Sequence, residues 1–211
     1  MAARSTDPEP KGVDYDDVAF RWSDYDVPLW TRANSSSLRW NDAGQDATQY
    51  MSLTPEGAWA ELIRSERLLT SEELRFVSMP MWELHVHETN IADYSTFEKA
   101  EAAGFPPRTL VDEDYERCKA EAERLRKLGY RGVLAPSAAL PGAVNLTLFG
   151  RRLAVPWEYP ASARMASFIP AKQLAVGRPP DGLLPLVCHR DENHSGLAAY
   201  LRLREAGALR D

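Results

Sequence analysis

The 211-residue sequence predicts an α+β fold in a single domain. Three observations carry this. Short stretches alternate apolar and polar residues with the two-residue period of a half-buried strand. Longer stretches repeat apolar residues at helical spacing. The two kinds are mixed along the chain without the regular rhythm of a doubly wound sheet.

Residues 1–17, "MAARSTDPEPKGVDYDD", are rich in Pro, Asp and Glu and read as a flexible tail, with order expected from Val18 onward. "TPEGAWAELIRSERLL" reads as a helix. Thr54 suits its N-cap, Pro55 its first position, and Glu56 its positive end. Ala58, Leu62 and Leu69 form the apolar face, with Trp59 and Ile63 on its flank. "MWELHVHE" then alternates, Trp82, Leu84 and Val86 against Glu83, His85 and His87, as a half-buried strand does. "DEDYERCKAEAERLRKLGYRG" is a second helix with Tyr115, Cys118, Ala122 and Leu125 inward, and Gly129 stands where a C-terminal cap belongs. Two strands follow, "YRGVLAP" and "AVNLTLF", the latter with Val144, Leu146 and Leu148 on one face. The main domain is therefore expected over 18–175. Residues 176–211 form a Pro- and Gly-rich extension ending in the helix "SGLAAYLRLREAGALR", which packs on the domain or on a partner.

A formal charge of −6 argues against a nucleic-acid-binding surface, because phosphate contacts need clustered Lys and Arg. Cys118 and Cys188 make no disulfide framework, and the N-terminus lacks the apolar run of a signal peptide. A soluble, cytoplasmic protein that meets no membrane is the expectation. "YRGVLAPSAALPGAVNLTLF", residues 130–149, carries no charge after Arg131. Pro136 and Pro141 break it, so it is no membrane span. Its small Pro136-Ser137-Ala138-Ala139 centre suits either a pocket wall holding a hydroxyl or a buried loop.

Glu61 falls on the shoulder of the first helix's apolar face, as a solvated edge residue or as a half-buried carboxylate with a partner. Arg32 and Arg39 stand among aromatic and small residues in "LWTRANSSSLRWND". A guanidinium there fits a ligand's carboxylate or phosphate, or a structural ion pair. His85 and His87 share a strand face, and Cys188, His189 and His194 are loosely grouped. Neither set has the spacing of a zinc site, so no metal is expected.

These stretches together resemble the RES family, named for an arginine, a glutamate and a serine. "LWTRAN" resembles its opening arginine motif at Arg32, and "SLRWND" its second, at Arg39-Trp40-Asn41. "QYMSLTPEGAWAE" resembles the central block, with Tyr50 and Glu61, and "GYRGVLAPSAALPGAVNLTLF" the closing block, with Ser137 and Asn145. Ala33 departs from relatives that place an aromatic residue there, and the chain after about residue 175 lies outside the family core. The resemblance implies an ADP-ribosyltransferase-like fold of two small packed sheets around an NAD cleft. It also implies a toxin that degrades NAD by hydrolysis or phosphorolysis, with inorganic phosphate as co-substrate in the second case. Arg32, Glu61 and Ser137 would be catalytic. Arg39, Trp40, Asn41, Tyr50 and Asn145 would hold NAD. The implied partner is an antitoxin with a helix-turn-helix domain; self-association of the chain stays open. Transfer of ADP-ribose to a protein, and an inactive binding module, are the alternatives.

Overall fold

The computed structural model describes residues 8–160 and 166–208. Its strands are β1 (Gly12–Trp22), β2 (Thr48–Ser52), β3 (Met81–Asp93), β4 (Gly132–Pro136), β5 (Val144–Phe149), β6 (Leu153–Pro156) and β7 (Phe168–Gln173). Its helices are α1 (Pro55–Ser65), α2 (Ser71–Arg75), α3 (Phe97–Ala102), α4 (Glu116–Lys127) and α5 (Ser195–Glu205). The fold is α+β. Among the described residues no helix is long and apolar enough to cross a membrane.

Hydrogen bonding is continuous through one seven-stranded sheet, where the resemblance implied two sheets. The order is β1-β2-β5-β4-β3-β7-β6, and β1 also pairs with β3, which closes the first five strands into a ring. The length of β3 makes this possible. One of its edges pairs with β1 from Gly12↔Ala92 to Trp22↔Met81. The other serves β7 at Trp82–Leu84 and β4 at Ile91–Asp93. The ring is pinched between β1 and β2, joined by the single pair Phe20↔Ser52.

Alternation on these strands separates the cores. On β4, Leu134 faces the ring interior with Ala19, Leu84, Val86, Leu146 and Leu148. Its neighbours Val133 and Ala135 face outward, under Tyr94, Phe97, Cys118, Ala122 and Leu125 of the helical layer. The C-terminal extension packs on the domain: Leu197 and Tyr200 of α5 are buried in that outer core.

The expected caps form. The Thr54 hydroxyl accepts from the Gly57 amide at 3.0 Å, with Pro55 opening α1. Gly129 takes φ 87° beyond α4, in the left-handed region where a side chain would be strained. Two further expectations fail. Leu69 is 63% exposed, because α1 ends at Ser65 and Arg67 turns the chain away with φ 54°. The tail expected over 1–17 is a strand from Gly12 onward, with residues 1–7 lying outside the described region. Its acidic residues hide a two-residue period in which Val13 and Tyr15 pack toward the ring interior and Asp14 and Asp16 face water. The Tyr130 hydroxyl also fixes this segment, donating to the Pro10 carbonyl at 2.6 Å.

A buried ion pair ties β3 to the β5–β6 connection. Arg152 Nη2 meets Glu88 Oε2 at 2.7 Å, the two side chains only 2% and 3% exposed. Removing one partner of such a pair leaves an uncompensated charge and costs about 3–5 kcal/mol, whereas an exposed pair contributes at most about 1 kcal/mol. Glu88→Ala should therefore lose about 3–5 kcal/mol in urea unfolding. Arg151→Ala, which breaks the exposed Arg151–Asp46 pair, should lose less than about 1 kcal/mol.

Candidate active site

A cavity of about 970 Å³ opens at the β1–β2 pinch, at the upper end of the ~300–1,000 Å³ usual for ligand sites. Its walls include Arg21 and Trp22 of β1, Tyr50 and Ser52 of β2, Glu61 of α1 and Asn145 of β5. Blocks that lie far apart in the sequence thus meet at one opening.

Glu61 reaches the cavity because α1 presents Ala58, Glu61 and Ser65 at helical spacing on one stripe. Its Oε1 accepts two hydrogen bonds, from Ser137 Oγ at 2.7 Å and from Asn145 Nδ2 at 2.6 Å. Oε2 has no protein partner among the described residues. Asn145 spends its amide on Glu61, which leaves its Oδ1 buried and unpartnered. Ser137 itself is 0% exposed and does not line the cavity. Its one proton goes to Glu61, and its oxygen accepts from the amides of Ala139 at 3.1 Å and Leu140 at 3.0 Å. With its bonding capacity filled, Ser137 orients Glu61 rather than touching a ligand.

The arginines divide in the same way. Arg39 is held by its own protein, donating to Asp112 O at 2.7 Å and Thr109 O at 3.2 Å over the Tyr115 ring. Arg32 is exposed at the rim, with no hydrogen bond or ion pair to protein among the described residues. Arg21, which sequence reasoning missed, lies deeper. Its Nη1 is buried without a partner and its guanidinium stands 5.4 Å from the Trp30 ring centre. Burial pushes it down to about 10, so it still carries its charge at neutral pH. The signal was available: two residues beyond the inward-facing Ala19, alternation turns a cation inward.

The Trp40, Asn41 and Tyr50 group is a loop staple. The Tyr50 hydroxyl accepts from the Trp40 amide at 2.9 Å and donates to Asn41 Oδ1 at 2.8 Å. Burial raises its pKa well above the ordinary tyrosine range, so it remains a hydroxyl. Trp40 and Tyr50 line the cavity, but Asn41 is fully buried behind them, donating to Ser36 O and Asp42 O. Among the described residues no group of three or more His, Cys, Asp or Glu side chains is placed to hold a metal.

Residues 15–168 match the RES domain. The chain belongs to the RES domain family. The matched span holds Arg21, Arg32, Glu61, Ser137 and Asn145, and stops before the C-terminal extension. No curated protein matches this RES chain in sequence. A chain of the M. tuberculosis MbcT–MbcA toxin–antitoxin complex shares its fold, with a TM-score of 0.59 at 18% identity, covering 78% of this chain and 87% of the other.

His194 stands behind the site. Its Nδ1 accepts from the Leu197 amide and caps α5, so Nε2 carries the hydrogen and donates to Ser137 O at 3.0 Å. Burial lowers its pKa below the ordinary 6.5, helped by the cations of Arg64 and Arg39; the edge of Phe97 covers the ring. A histidine that binds its proton more weakly when folded gives stability that is complete above the unfolded pKa and lost as pH falls. Unfolding free energy should therefore drop as pH is lowered through 6.5, and the drop should be smaller in His194→Asn when the two pH profiles are compared.

Proposed function

We propose that this RES protein is the toxin of a toxin–antitoxin pair and degrades NAD by breaking its nicotinamide–ribose bond. One observation carries the reading: a half-buried cation whose Nη1 is buried and unpartnered, Arg21, and a carboxylate with one oxygen free, Glu61, open into the same cavity. NAD joins an anionic pyrophosphate to a ribose that turns cationic as the bond breaks, so it needs both charges in one site.

In this reading Arg21 grips the pyrophosphate from the wall and Arg32 from the rim, while Arg39 shapes the opening. The C–N bond breaks with both electrons leaving on nicotinamide, which departs neutral and needs no proton. The ribosyl centre carries the positive charge until the oxygen of water or phosphate adds and a proton is released. Glu61 Oε2 faces that charge, held in place by Ser137 and Asn145 through Oε1. Opposite unit charges ~4 Å apart attract by about 4 kcal/mol at an effective dielectric near 20, about a thousandfold in rate where the attraction arises mainly in the transition state.

The fold shared with a chain of a toxin–antitoxin complex supports the toxin role. The partner we propose is an antitoxin with a helix-turn-helix domain, which leaves DNA contact to the partner and none to this acidic chain.

The test is NAD loss and its products, followed with and without inorganic phosphate. Free ADP-ribose marks hydrolysis, its phosphate ester marks phosphorolysis, and label retained on protein would move the reading to a transferase. Glu61→Gln should lower kcat about a thousandfold. Arg21→Met removes a charge-assisted contact worth about 1.5–3 kcal/mol and should lower kcat/KM by roughly 10- to 100-fold. A folded Glu61→Gln protein with wild-type turnover would remove Glu61 from the mechanism.

A further inference from the structure

We infer that the C-terminal extension, beyond the RES match, is a brace that positions Glu61, with His194 as its positioning residue. The step to catalysis rests on the NAD reading above; the brace itself does not.

The turn after β4 supplies the Ser137 hydroxyl that orients Glu61. Within itself it is closed by Ser137 N donating to Ala143 O and Ala143 N donating to Leu140 O, both at 2.9 Å. The extension adds two more contacts. His194 Nε2 donates to Ser137 O at 3.0 Å, and the Cys188 amide donates to Ala139 O at 2.8 Å. Leu183 and Val187 pack in one cluster with Ala139 and with Ala58 and Leu62 of α1.

The same extension also grips the helix that carries Glu61. Arg64, three residues on, is buried and donates through Nη1 to Cys188 O, while its Nη2 pairs with Glu113. Cys188 therefore ties the serine-bearing turn through its amide and the glutamate-bearing helix through its carbonyl. His194 holds the turn from the other side, its tautomer set by the α5 cap. A misplacement of ~1 Å in such a site can cost ~100-fold in rate, so slack in this brace reaches the carboxylate.

The two nitrogens of His194 do different jobs, and substitution separates them. Asparagine places an acceptor near Nδ1 and is a strong N-cap, but it is too short to reach Ser137 O. Glutamine places a donor near Nε2 and caps poorly. His194→Asn should keep the α5 cap, losing only the stability of the Ser137 contact, yet lose roughly 10- to 100-fold in kcat with KM nearly unchanged. His194→Gln should lose stability yet be rescued to within about threefold of the wild-type kcat. In the Glu61→Gln background, His194→Asn should cost no further rate.

Amide hydrogen exchange at Ala139 and Leu140 reads the brace without NAD. It should quicken in His194→Asn and stay near wild type in His194→Gln. Exchange unchanged in His194→Asn, or rates that follow stability instead of the Ser137 contact, would overturn the brace. A wild-type protein that consumes no NAD would instead overturn the proposed reaction, with the exchange result still deciding the brace.

Discussion

A serine hydroxyl has one proton to give, and Ser137 gives it to Glu61. Most of what surrounds the site follows from that constraint. Because the donor is single, the oxygen's lone pairs must find their own donors, and the tight turn supplies them in the amides of Ala139 and Leu140. Because Ser137 approaches from behind, Asn145 on β5 can reach the same carboxylate oxygen from the sheet. Two donors hold Oε1 and leave Oε2 without a protein partner among the described residues. The uncharged run of residues 132–149 thus does more than line a wall: its centre holds an acid from behind.

The other half of the site is a cation that the protein does not pair. A buried guanidinium without a carboxylate loses hydration and gains little in return, which is why such groups usually have partners. Arg21 has the Trp30 ring and no ion pair among the described residues, while Arg64, Arg124 and Arg152 in the same molecule each meet a glutamate. The pinched β1–β2 seam explains how this is tolerated: the strands diverge beyond one pair, and Arg21 lies where the cavity admits solvent or an anionic ligand. This is the charge that the pyrophosphate of the proposed substrate would meet.

Local rules made much of the fold legible in the sequence. Thr54-Pro55 marked the start of α1, Gly129 the end of α4, and alternation identified β3 and β5. Composition misled where it competed with periodicity: the acidic residues of "VDYDD" suggested a tail, although Val13 and Tyr15 already kept the two-residue step of β1. The closed ring was not legible, because no local feature records that β3 uses both edges. Within the site, residue type was readable and direction was not. Glu61, Asn145 and Arg32 face the cavity as their types suggested. Asn41 and Ser137 lie behind the wall, since burial and bonding capacity depend on neighbours distant in sequence.

The extension was the least legible part, for a reason that concerns the chemistry of its contacts. Its hold on the site runs largely through main-chain atoms: the carbonyls of Ser137, Ala139 and Cys188, and the Cys188 amide. A backbone carbonyl is present at every residue, so its use leaves no mark on the residue types of the segment that offers it. The RES match ends at residue 168, before the extension begins. The side chains that make these contacts are His194 on the extension and Arg64 on α1. A pattern of residue types therefore outlines the cavity and its charges, while the support that holds Glu61 still is written in hydrogen bonds that such a pattern cannot record.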